Sequence, residues 1–331
     1  MYFFAVQFLA IALIALLAEG GMRIYRHVIQ AAYQKSVAAA IERSKADEIS
    51  DEFTYKIIAI GDSHTYGVDS SPGKDYPRQL VDILAERRPD LNVELENLAH
   101  PGMNSVQAAD ALQNYISAVP GHPINLVLAC VGNNNKHNLV GLSDALGTNI
   151  EGLSPSQKLA HLLKNSGAYR LTVLTRSRLE QRVEYDEHNQ MWVGCVLCGN
   201  NEPLLGKWME HDLRRIVELA QSRGALPVFL SYFWMQPYVD RSMSNVAEQT
   251  GAIYVPMVKF GLSFSSDDTG CVGPTYHPND EGYGRIAATI YNALLHYDAL
   301  PAPPENAAFK ATSIELPPHC GVGWSPLAAS R

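Results

Sequence analysis

From residue 56 onward, short apolar or alternating runs are separated by segments whose apolar residues recur at helical spacing. The runs that predict strands are 56–60, 92–98, 125–131, 226–232 and 253–257. The segments that predict helices are 76–88, 105–118 and 281–297, and the more polar stretch 154–224 predicts helices with an irregular excursion around 185–203. Strands separated by helices pair in parallel, with right-handed crossovers and helices on each face. The sequence therefore predicts an α/β fold with a central parallel sheet.

The overall charge excludes one large class of partners. The 331 residues include 26 Lys and Arg against 34 Asp and Glu, which gives a formal net charge of −8. Nucleic-acid binding needs clustered basic residues that neutralise phosphates, so we expect no nucleic-acid partner. The hydrophobic fraction of 47% and the charged fraction of 18% are typical of a globular protein.

The segment 2–18 contains no charged residue and only one strongly polar side chain, Gln7. As a helix it would span about 26 Å, slightly less than a hydrocarbon core of roughly 30 Å. We expect residues 1–21 to form an N-terminal transmembrane helix that anchors the chain in the membrane, followed by a helical stalk or linker over 22–52. A cleaved signal peptide is the alternative, but the segment lacks a basic start, and Leu16 stands where a cleavage site has a small residue.

Polar residues and glycines follow the predicted strands, at the edge of the sheet where α/β proteins bind ligands. Four separate loops bring a hydroxyl, backbone N–H groups, a carboxamide and an imidazole to this edge. They contain Asp62, Ser63 and His64 after the first strand, Asn97 and Gly102 after the second, 132–135 after the third, and His277 before the last helix.

These groups are the components of acyl transfer through a serine nucleophile. Ser63, at a strand-to-loop turn, can expose its hydroxyl, but a hydroxyl needs a base that takes its proton. We predict His277 as that base, because an imidazole with a pKa near ~6.5 suits neutral operation. An oxyanion hole needs fixed donors. The candidates are the backbone N–H groups of Ser63 and Gly102 and the side-chain amide of Asn134, or of Asn133 if the register shifts by one place.

The same motifs, in this order, resemble those of the SGNH hydrolases, also called the GDSL esterase/lipase superfamily. The resemblance covers 56–135 and 274–290 and includes GDSHTYG at 61–67, YP at 76–77, Asn97, Gly102, GNN at 132–134, HPN at 277–279 and GY at 282–283. It implies a flavodoxin-like three-layer α/β/α sandwich with a central parallel sheet, a catalytic domain that we place at 53–300. It also implies Ser63 as nucleophile, His277 as base, and an oxyanion hole of Ser63, Gly102 and Asn134, without a metal or other cofactor.

Two positions depart from the pattern of the family. An Asp commonly lies three residues before the catalytic His, but Pro274 occupies that position, and the nearest upstream acids are Asp267 and Asp268. Either a longer loop brings one of these carboxylates to His277, or a backbone carbonyl fixes the His tautomer and leaves a Ser–His dyad. At the second position, Asn135 stands where the family often has Asp.

Other residues of these motifs are expected to have structural roles. We expect Asp62 to bond loop amides, and His64 and His100 to be exposed loop histidines. Large aromatic side chains are more often core than rim, and Cys130 lies within an apolar strand. The residues expected in the core are therefore Cys130, Trp192, Trp208, Tyr232, Phe233 and Trp234.

The remaining cysteines bear on the compartment. Cys195 and Cys198 form a CxxC pattern that fits a disulfide, a redox pair or half of a zinc site, and a Cys271–Cys320 bridge is a further pairing expected outside the cytoplasm. Basic residues after the predicted anchor favour a cytoplasmic domain, but large domains translocate regardless of nearby charge. We expect a periplasmic or extracellular catalytic domain, with a Pro- and Ala-rich tail over 301–331 that wraps the surface or is mobile.

Three functions fit these residues. The first is a serine hydrolase that cleaves O-acyl esters, such as acetyl groups on an envelope glycan or lipid, through an acyl-enzyme on Ser63. The second is an O-acyltransferase with the same chemistry, in which an acceptor hydroxyl replaces water. The third is a non-catalytic envelope-binding protein that retains the fold, motivated by Pro274 at the usual Asp position. The expected partners are an acylated small molecule, glycan or lipid, and the membrane through the N-terminal helix.

Overall fold

The computed structural model describes most of the region from residue 54 to residue 320. The described residues are 54–136, 138, 183–185, 191–193, 202–260, 262, 264, 268–305, 312–317, 319 and 320, together with isolated positions between 20 and 42. Residues 1–19 of the predicted anchor, Asp267 and the cysteines of the CxxC pattern lie outside them. Among the described residues, no helix is both long enough and apolar enough to cross a membrane.

The secondary structure follows the predicted alternation, and the five predicted strands and the helices predicted at 76–88, 105–118 and 281–297 agree with the observed bounds to within two residues. Within the predicted helical stretch 154–224 the structure describes one helix, Glu202–Gln221, and the helix Pro237–Thr250 was not predicted. The described strands are β1 (Thr54–Gly61), β2 (Asn92–Asn97), β3 (Leu126–Cys130), β4 (Val183–Tyr185), β5 (Met191–Val193), β6 (Leu226–Leu230) and β7 (Ile253–Val255). The helices described after residue 54 are α1 (Ser63–Tyr66), α2 (Tyr76–Arg87), α3 (Ser105–Ala118), α4 (Glu202–Gln221), α5 (Pro237–Thr250) and α6 (Asp280–His296). Short 3₁₀ turns at Asn133–Lys136 and Met257–Phe260 follow β3 and β7.

Five of these strands form one parallel sheet in the order β2-β1-β3-β6-β7. Numbered along the chain, this is the order 2-1-3-4-5 of flavodoxin-like sheets. The register pairs Ala59 with Asn97 and Gly61 with Cys130, so the carboxyl ends of the three strands lie side by side. The loops that follow them therefore meet at one edge, as predicted. The strands β4 and β5 form a separate antiparallel pair within the predicted excursion.

The helices pack in two groups. The first group is α2 against α6, and in the second α4 packs against both α3 and α5. With right-handed crossovers, this strand order places the two groups on opposite faces of the sheet, which gives three layers. Strand β1 is in the middle layer, and its residues 57–60 are fully buried. The predicted central parallel sheet with flanking helices is confirmed.

Side-chain caps position the helices that border the carboxyl edge. The carboxylate of Asp62 accepts a hydrogen bond from the first turn of α1, and Asp75 does the same for α2. Asn104 forms a capping box with Gln107 at the start of α3, and Asn279 accepts two backbone N–H groups at the start of α6. Such caps stabilise a helix by about 1 kcal/mol each and define where it begins.

The described part of the C-terminal tail packs on α6. Ile314 is buried, and its backbone exchanges hydrogen bonds of 2.7 and 2.8 Å with the Asn292 side chain. The Arg285 side chain donates to the carbonyl oxygens of Pro317 and His319. Cys320 forms a disulfide with Cys271. Of the two alternatives for the tail, these contacts support the one in which it wraps the surface.

Candidate active site

Ser63 is the first residue of the single-turn helix α1 and is separated from the end of β1 only by Asp62. Its approach to the sheet depends on Gly61, because a Cβ there would lie 2.5 Å from the Cys130 carbonyl oxygen and closer still to Thr65 Oγ1. The turn is closed by Gly67 and Val68, whose N–H groups both donate to the Ser63 carbonyl. The Ser63 hydroxyl is therefore held at the carboxyl end of β1, an interior strand that pairs with β2 and β3.

Asp62 is fully buried beside Ser63 and accepts hydrogen bonds from three parts of the chain. Its Oδ1 lies 3.0 Å from the His64 backbone nitrogen and 3.2 Å from His64 Nδ1. Its Oδ2 accepts from the Tyr232 hydroxyl at 2.7 Å and from Asn134 Nδ2 at 3.2 Å. The predicted bond to a loop amide is confirmed, but the carboxylate also holds side chains from the loops after β3 and β6.

His277 is the residue that the structure brings to Ser63 from the far end of the chain. Its Nε2 lies 2.8 Å from Ser63 Oγ, although 214 residues separate the two. The loop that carries it is a tight hairpin, closed by a 2.7 Å bond from the Gly273 N–H to the His277 carbonyl and by a β-bridge between Val272 and Pro278. The disulfide from Cys271 ties the start of this loop to the tail.

The surroundings of His277 favour its neutral form. The pKa of its imidazole is lowered to about 4, first by burial and then by the neighbouring His64 ring, 4.8 Å away between centroids. The carboxylates of Asp62 and Asp69 act in the opposite direction, because a negative charge favours the protonated ring. At neutral pH the imidazole is therefore unprotonated on one nitrogen, as a general base requires.

Two of the three predicted oxyanion donors have free N–H groups. The backbone N–H groups of Ser63 and Gly102 have no protein acceptor within the described part of the chain. Gly102 has a φ of 82°, a conformation that favours glycine, whereas a Cβ there would meet no atom within 4 Å. The glycine is thus required by the backbone conformation and not by close packing within the protein.

The third predicted donor, Asn134, is already bonded within the protein. Its Nδ2 donates to Asp62 Oδ2 and, at 3.0 Å, to the Met103 carbonyl. The side chain of the alternative donor, Asn133, accepts through Oδ1 from Gln236 at 2.8 Å. An amide nitrogen has two hydrogens, so Asn134 would serve an oxyanion only by sharing one of them. The role of Asn134 stays a prediction.

Neither predicted acid is described next to the base. The Asp268 Oδ1 accepts from the Gly270 N–H at 3.2 Å, and Asp267 lies outside the described residues. Instead, Nδ1 of His277 lies 2.9 Å from Thr275 Oγ1 and 3.1 Å from the Thr275 carbonyl oxygen. Thr275 in turn contacts Asp69. Sequence spacing did not indicate Asp69, because it follows Ser63 on a loop with no motif that points to the histidine.

His64 is not the exposed loop histidine that the sequence suggested. Its ring is 5% exposed, and its Nε2 has no hydrogen-bonding partner among the described residues. It packs between the ring of His277 and the rings of Tyr232 and Trp234, with centroids at 5.1 and 4.9 Å from these two aromatic rings. His64 was misjudged because its burial depends on aromatic residues that follow β6.

The aromatic residues expected in the core are buried where the structure describes them. Trp208, Tyr232, Phe233 and Trp234 are each less than 8% exposed, whereas the side chain of Trp192 lies outside the described residues. Cys130 is a buried free thiol, as expected. Cys271, Glu281 and Cys320 form the one cluster of metal-ligating residue types among the described residues. Its two sulfur atoms are joined in the disulfide, which leaves a single carboxylate as a ligand.

A serine hydroxyl that is hydrogen-bonded to a histidine nitrogen, at the carboxyl edge of a flavodoxin-like parallel sheet, is the arrangement of a serine hydrolase with an α/β fold. The model of the GDSL-like lipase/acylhydrolase family matches residues 59–285. The chain therefore belongs to this family and is an ester-bond hydrolase, which confirms the resemblance of its motifs.

Solved structures and curated sequences were compared as well. The chain is similar to TesA at 14% identity, with a TM-score of 0.43 over 74% of this chain and 99% of that chain. It is similar to the psychrotrophic esterase EstA from Pseudoalteromonas sp. at 14% identity and a TM-score of 0.43, over 73% and 97% of the two chains. A catalytic mutant of Axe2, an acetylxylan esterase from Geobacillus stearothermophilus, is similar at 14% identity and a TM-score of 0.42, over 73% and 96%. No curated protein sequence matches this chain.

The lowered pKa of His277 predicts activity in weak acid. Since a base must be unprotonated, kcat/KM is expected to fall only as the pH approaches the imidazole pKa of about 4. We expect to see this fall in the acid limb of the pH profile. The profile is measured by following hydrolysis of p-nitrophenyl acetate by the full-length protein across the acidic range in stopped aliquots. A limb near the ordinary histidine value of about 6.5 would contradict the effect of burial.

Proposed function

We propose that the protein cleaves O-acyl esters through an acyl-enzyme on Ser63, with His277 as general base. The observation that carries the proposal is the 2.8 Å contact between Ser63 Oγ and His277 Nε2. This distance lies in the range that direct proton transfer requires. The same contact favours a catalytic protein over a binding protein that only retains the fold.

The reaction uses each of these groups in turn. As His277 Nε2 takes the Ser63 proton, Oγ forms a bond to the carbonyl carbon and the C=O π pair moves to oxygen. The Ser63 and Gly102 N–H groups are free to donate to this oxyanion, and each such donor is typically worth about 10²–10³ in rate. Collapse breaks the bond to the leaving alcohol, which takes the proton from His277. Water then repeats the sequence and releases the acid.

Replacing the nucleophile tests this assignment. Ser63→Ala removes Oγ, so we expect at least a 10³-fold loss of ester hydrolysis and no covalent labelling by a fluorophosphonate probe. Ser244→Ala, on the exposed face of α5, is the matched control and is expected to behave as the wild type. Labelling that persists in Ser63→Ala would place the nucleophile elsewhere.

The substrates that we propose are small acyl groups, such as acetyl, on an envelope glycan or lipid. Two exposed tyrosines belong to the segments that carry the reacting groups. Tyr276, 72% exposed, directly precedes His277, and Tyr66, 53% exposed, lies in the helix α1 that begins with Ser63. Exposed aromatic rings at a rim provide flat apolar surfaces against which the C–H faces of sugar rings pack. This arrangement supports the glycan over the lipid.

A substitution at the rim separates binding from chemistry. Tyr276→Ala is expected to raise KM for an acetylated oligosaccharide several-fold while leaving kcat and the hydrolysis of p-nitrophenyl acetate nearly unchanged. Tyr297→Ala, an exposed tyrosine beyond the end of α6, is the control. Equal effects of Tyr276→Ala on both substrates would argue against a glycan contact.

Product analysis with the acetylated donor and a glycan acceptor present distinguishes hydrolysis, which releases acetate, from transfer.

We also propose that the catalytic domain is periplasmic or extracellular, held at a membrane by residues 1–21. The Cys271–Cys320 disulfide supports this location, because such bridges persist in oxidising compartments. Mass spectrometry of protein from cells alkylated before lysis is expected to find Cys271 and Cys320 unmodified and bridged. Quantitative alkylation of both residues would indicate a reducing compartment.

A further inference from the structure

We propose that Thr275 and Asp69 are positioning residues that together replace the missing orienting acid of His277. The proposal rests on the proposed function, in which His277 is the base. It assigns to Thr275 the bond that an Asp carboxylate usually makes, and to Asp69 the negative charge behind that bond.

The contacts form one chain of short hydrogen bonds. Thr275 Oγ1 lies 2.9 Å from His277 Nδ1 and 2.7 Å from Asp69 Oδ2. The backbone N–H of Thr275 donates to the same Asp69 oxygen at 2.7 Å. His277 Nε2 then faces Ser63 Oγ at 2.8 Å. A continuous path therefore runs from the Asp69 carboxylate to the nucleophile.

Counting hydrogens along this path determines the histidine tautomer. An ionised carboxylate only accepts hydrogen bonds, so the single hydroxyl hydrogen of Thr275 is directed to Asp69. Thr275 Oγ1 can then only accept from His277, which places the ring hydrogen on Nδ1. This leaves the lone pair of Nε2 toward Ser63, the arrangement that a general base needs.

The backbone around Asp69 is held in an uncommon conformation. Asp69 has a φ of 70° and Tyr276 a φ of 62°, both in the left-handed region that residues other than glycine rarely adopt. A Cβ on Gly273 would lie 2.6 Å from Asp69 Cβ, so only glycine permits this approach. Such conformations are unfavourable for residues other than glycine and persist where the surroundings impose them.

Neighbouring contacts hold the Asp69 loop against the histidine loop. The Tyr283 hydroxyl donates to the Val68 carbonyl at 3.0 Å, and the Ser71 N–H donates to Asp280 Oδ1 at 2.6 Å. Both partners lie in α6, which follows the histidine loop. Asp69 lies between Val68 and Ser71 in sequence, so the backbone on each side of it is bonded to the start of α6, which follows the loop that carries Thr275.

Three charged or titratable groups act on the His277 ring from the elements around it. Asp62 and Asp69 favour the protonated ring, and His64 opposes it. Of the two carboxylates, Asp62 accepts its hydrogen bonds from other side chains, those of Tyr232, Asn134 and His64. Asp69 is hydrogen-bonded to Thr275, which contacts His277 Nδ1. Asp69 is therefore the carboxylate placed to stabilise the imidazolium that forms when Ser63 loses its proton.

The first test removes only the hydroxyl of Thr275. In the full-length protein, Thr275→Val keeps the branched shape and is expected to lower kcat for p-nitrophenyl acetate about 10- to 100-fold with KM nearly unchanged. This loss is smaller than the ~10⁴ of a true triad acid because the Thr275 carbonyl remains as an acceptor. Thr275→Ser restores the hydroxyl and is expected to restore kcat. Wild-type kcat in Thr275→Val, or equal losses in both variants, would overturn the proposal.

The second test measures the effect of the Asp69 charge on His277. Asp69→Asn is expected to lower kcat by a similar factor and to shift the acid limb of kcat/KM, and the pKa of His277 measured by NMR, to lower pH. Combined with Thr275→Val it should add little, since both act through one bond. Asp268→Asn, the neighbouring acid in the loop, is the matched control. An unchanged His277 pKa in Asp69→Asn, or a larger loss in Asp267→Asn or Asp268→Asn, would overturn the proposal.

Nitrogen NMR separates this inference from the proposed function. The wild type is expected to show His277 protonated on Nδ1, and Thr275→Val to show a weaker preference because only the Thr275 carbonyl still accepts from Nδ1, whether or not an ester is turned over. If the wild type neither hydrolyses esters nor reacts with a fluorophosphonate, the proposed function fails, while the positioning of His277 by Thr275 and Asp69 is still measured. If the wild type does both and His277 is protonated on Nε2, only the positioning role of Thr275 and Asp69 fails.

Discussion

The buried carboxylate of Asp62 is the group on which the arrangement of this site depends. A carboxylate that is removed from water must be fully hydrogen-bonded, or its burial costs several kcal/mol. Asp62 meets this requirement with Asn134 from the loop after β3, Tyr232 from the loop after β6, and His64 from its own helix. The carboxyl ends of three adjacent strands are thereby joined beside Ser63. The role of Asp62 is therefore to hold the loops of the site in place, and not to transfer a proton.

The base is held by a different set of constraints. The loop with His277 is fixed by a hairpin bond, by a disulfide to the tail and by Asp69 from the loop after α1. The tail beyond residue 300 is thus part of the support of the site, although its composition suggested only a surface segment. A disulfide across a separation of 49 residues restricts the unfolded chain and also limits the movement of the base.

Much of the fold and part of the site followed from local sequence patterns. The strands and helices had clear periodicity, and Ser63 and His277 stood at strand and helix boundaries where the edge of the sheet collects polar groups. The burial of His64 and the contact of Asp69 with Thr275 had no such signal. Both arise from loops that meet only after the sheet has formed, and a loop residue carries no periodicity that indicates its partner.

The sequence by itself determined the parallel sheet, the meeting of its loops at the carboxyl edge, and the pair of residues suited to acyl transfer, because these depend on apolar periodicity and on residue chemistry. Only the tertiary structure decided which group faces the second nitrogen of His277. That choice depends on the left-handed backbone at Asp69 and Tyr276 and on the space left by Gly273. Such geometry is imposed by packing between segments about 200 residues apart, which sequence spacing does not encode.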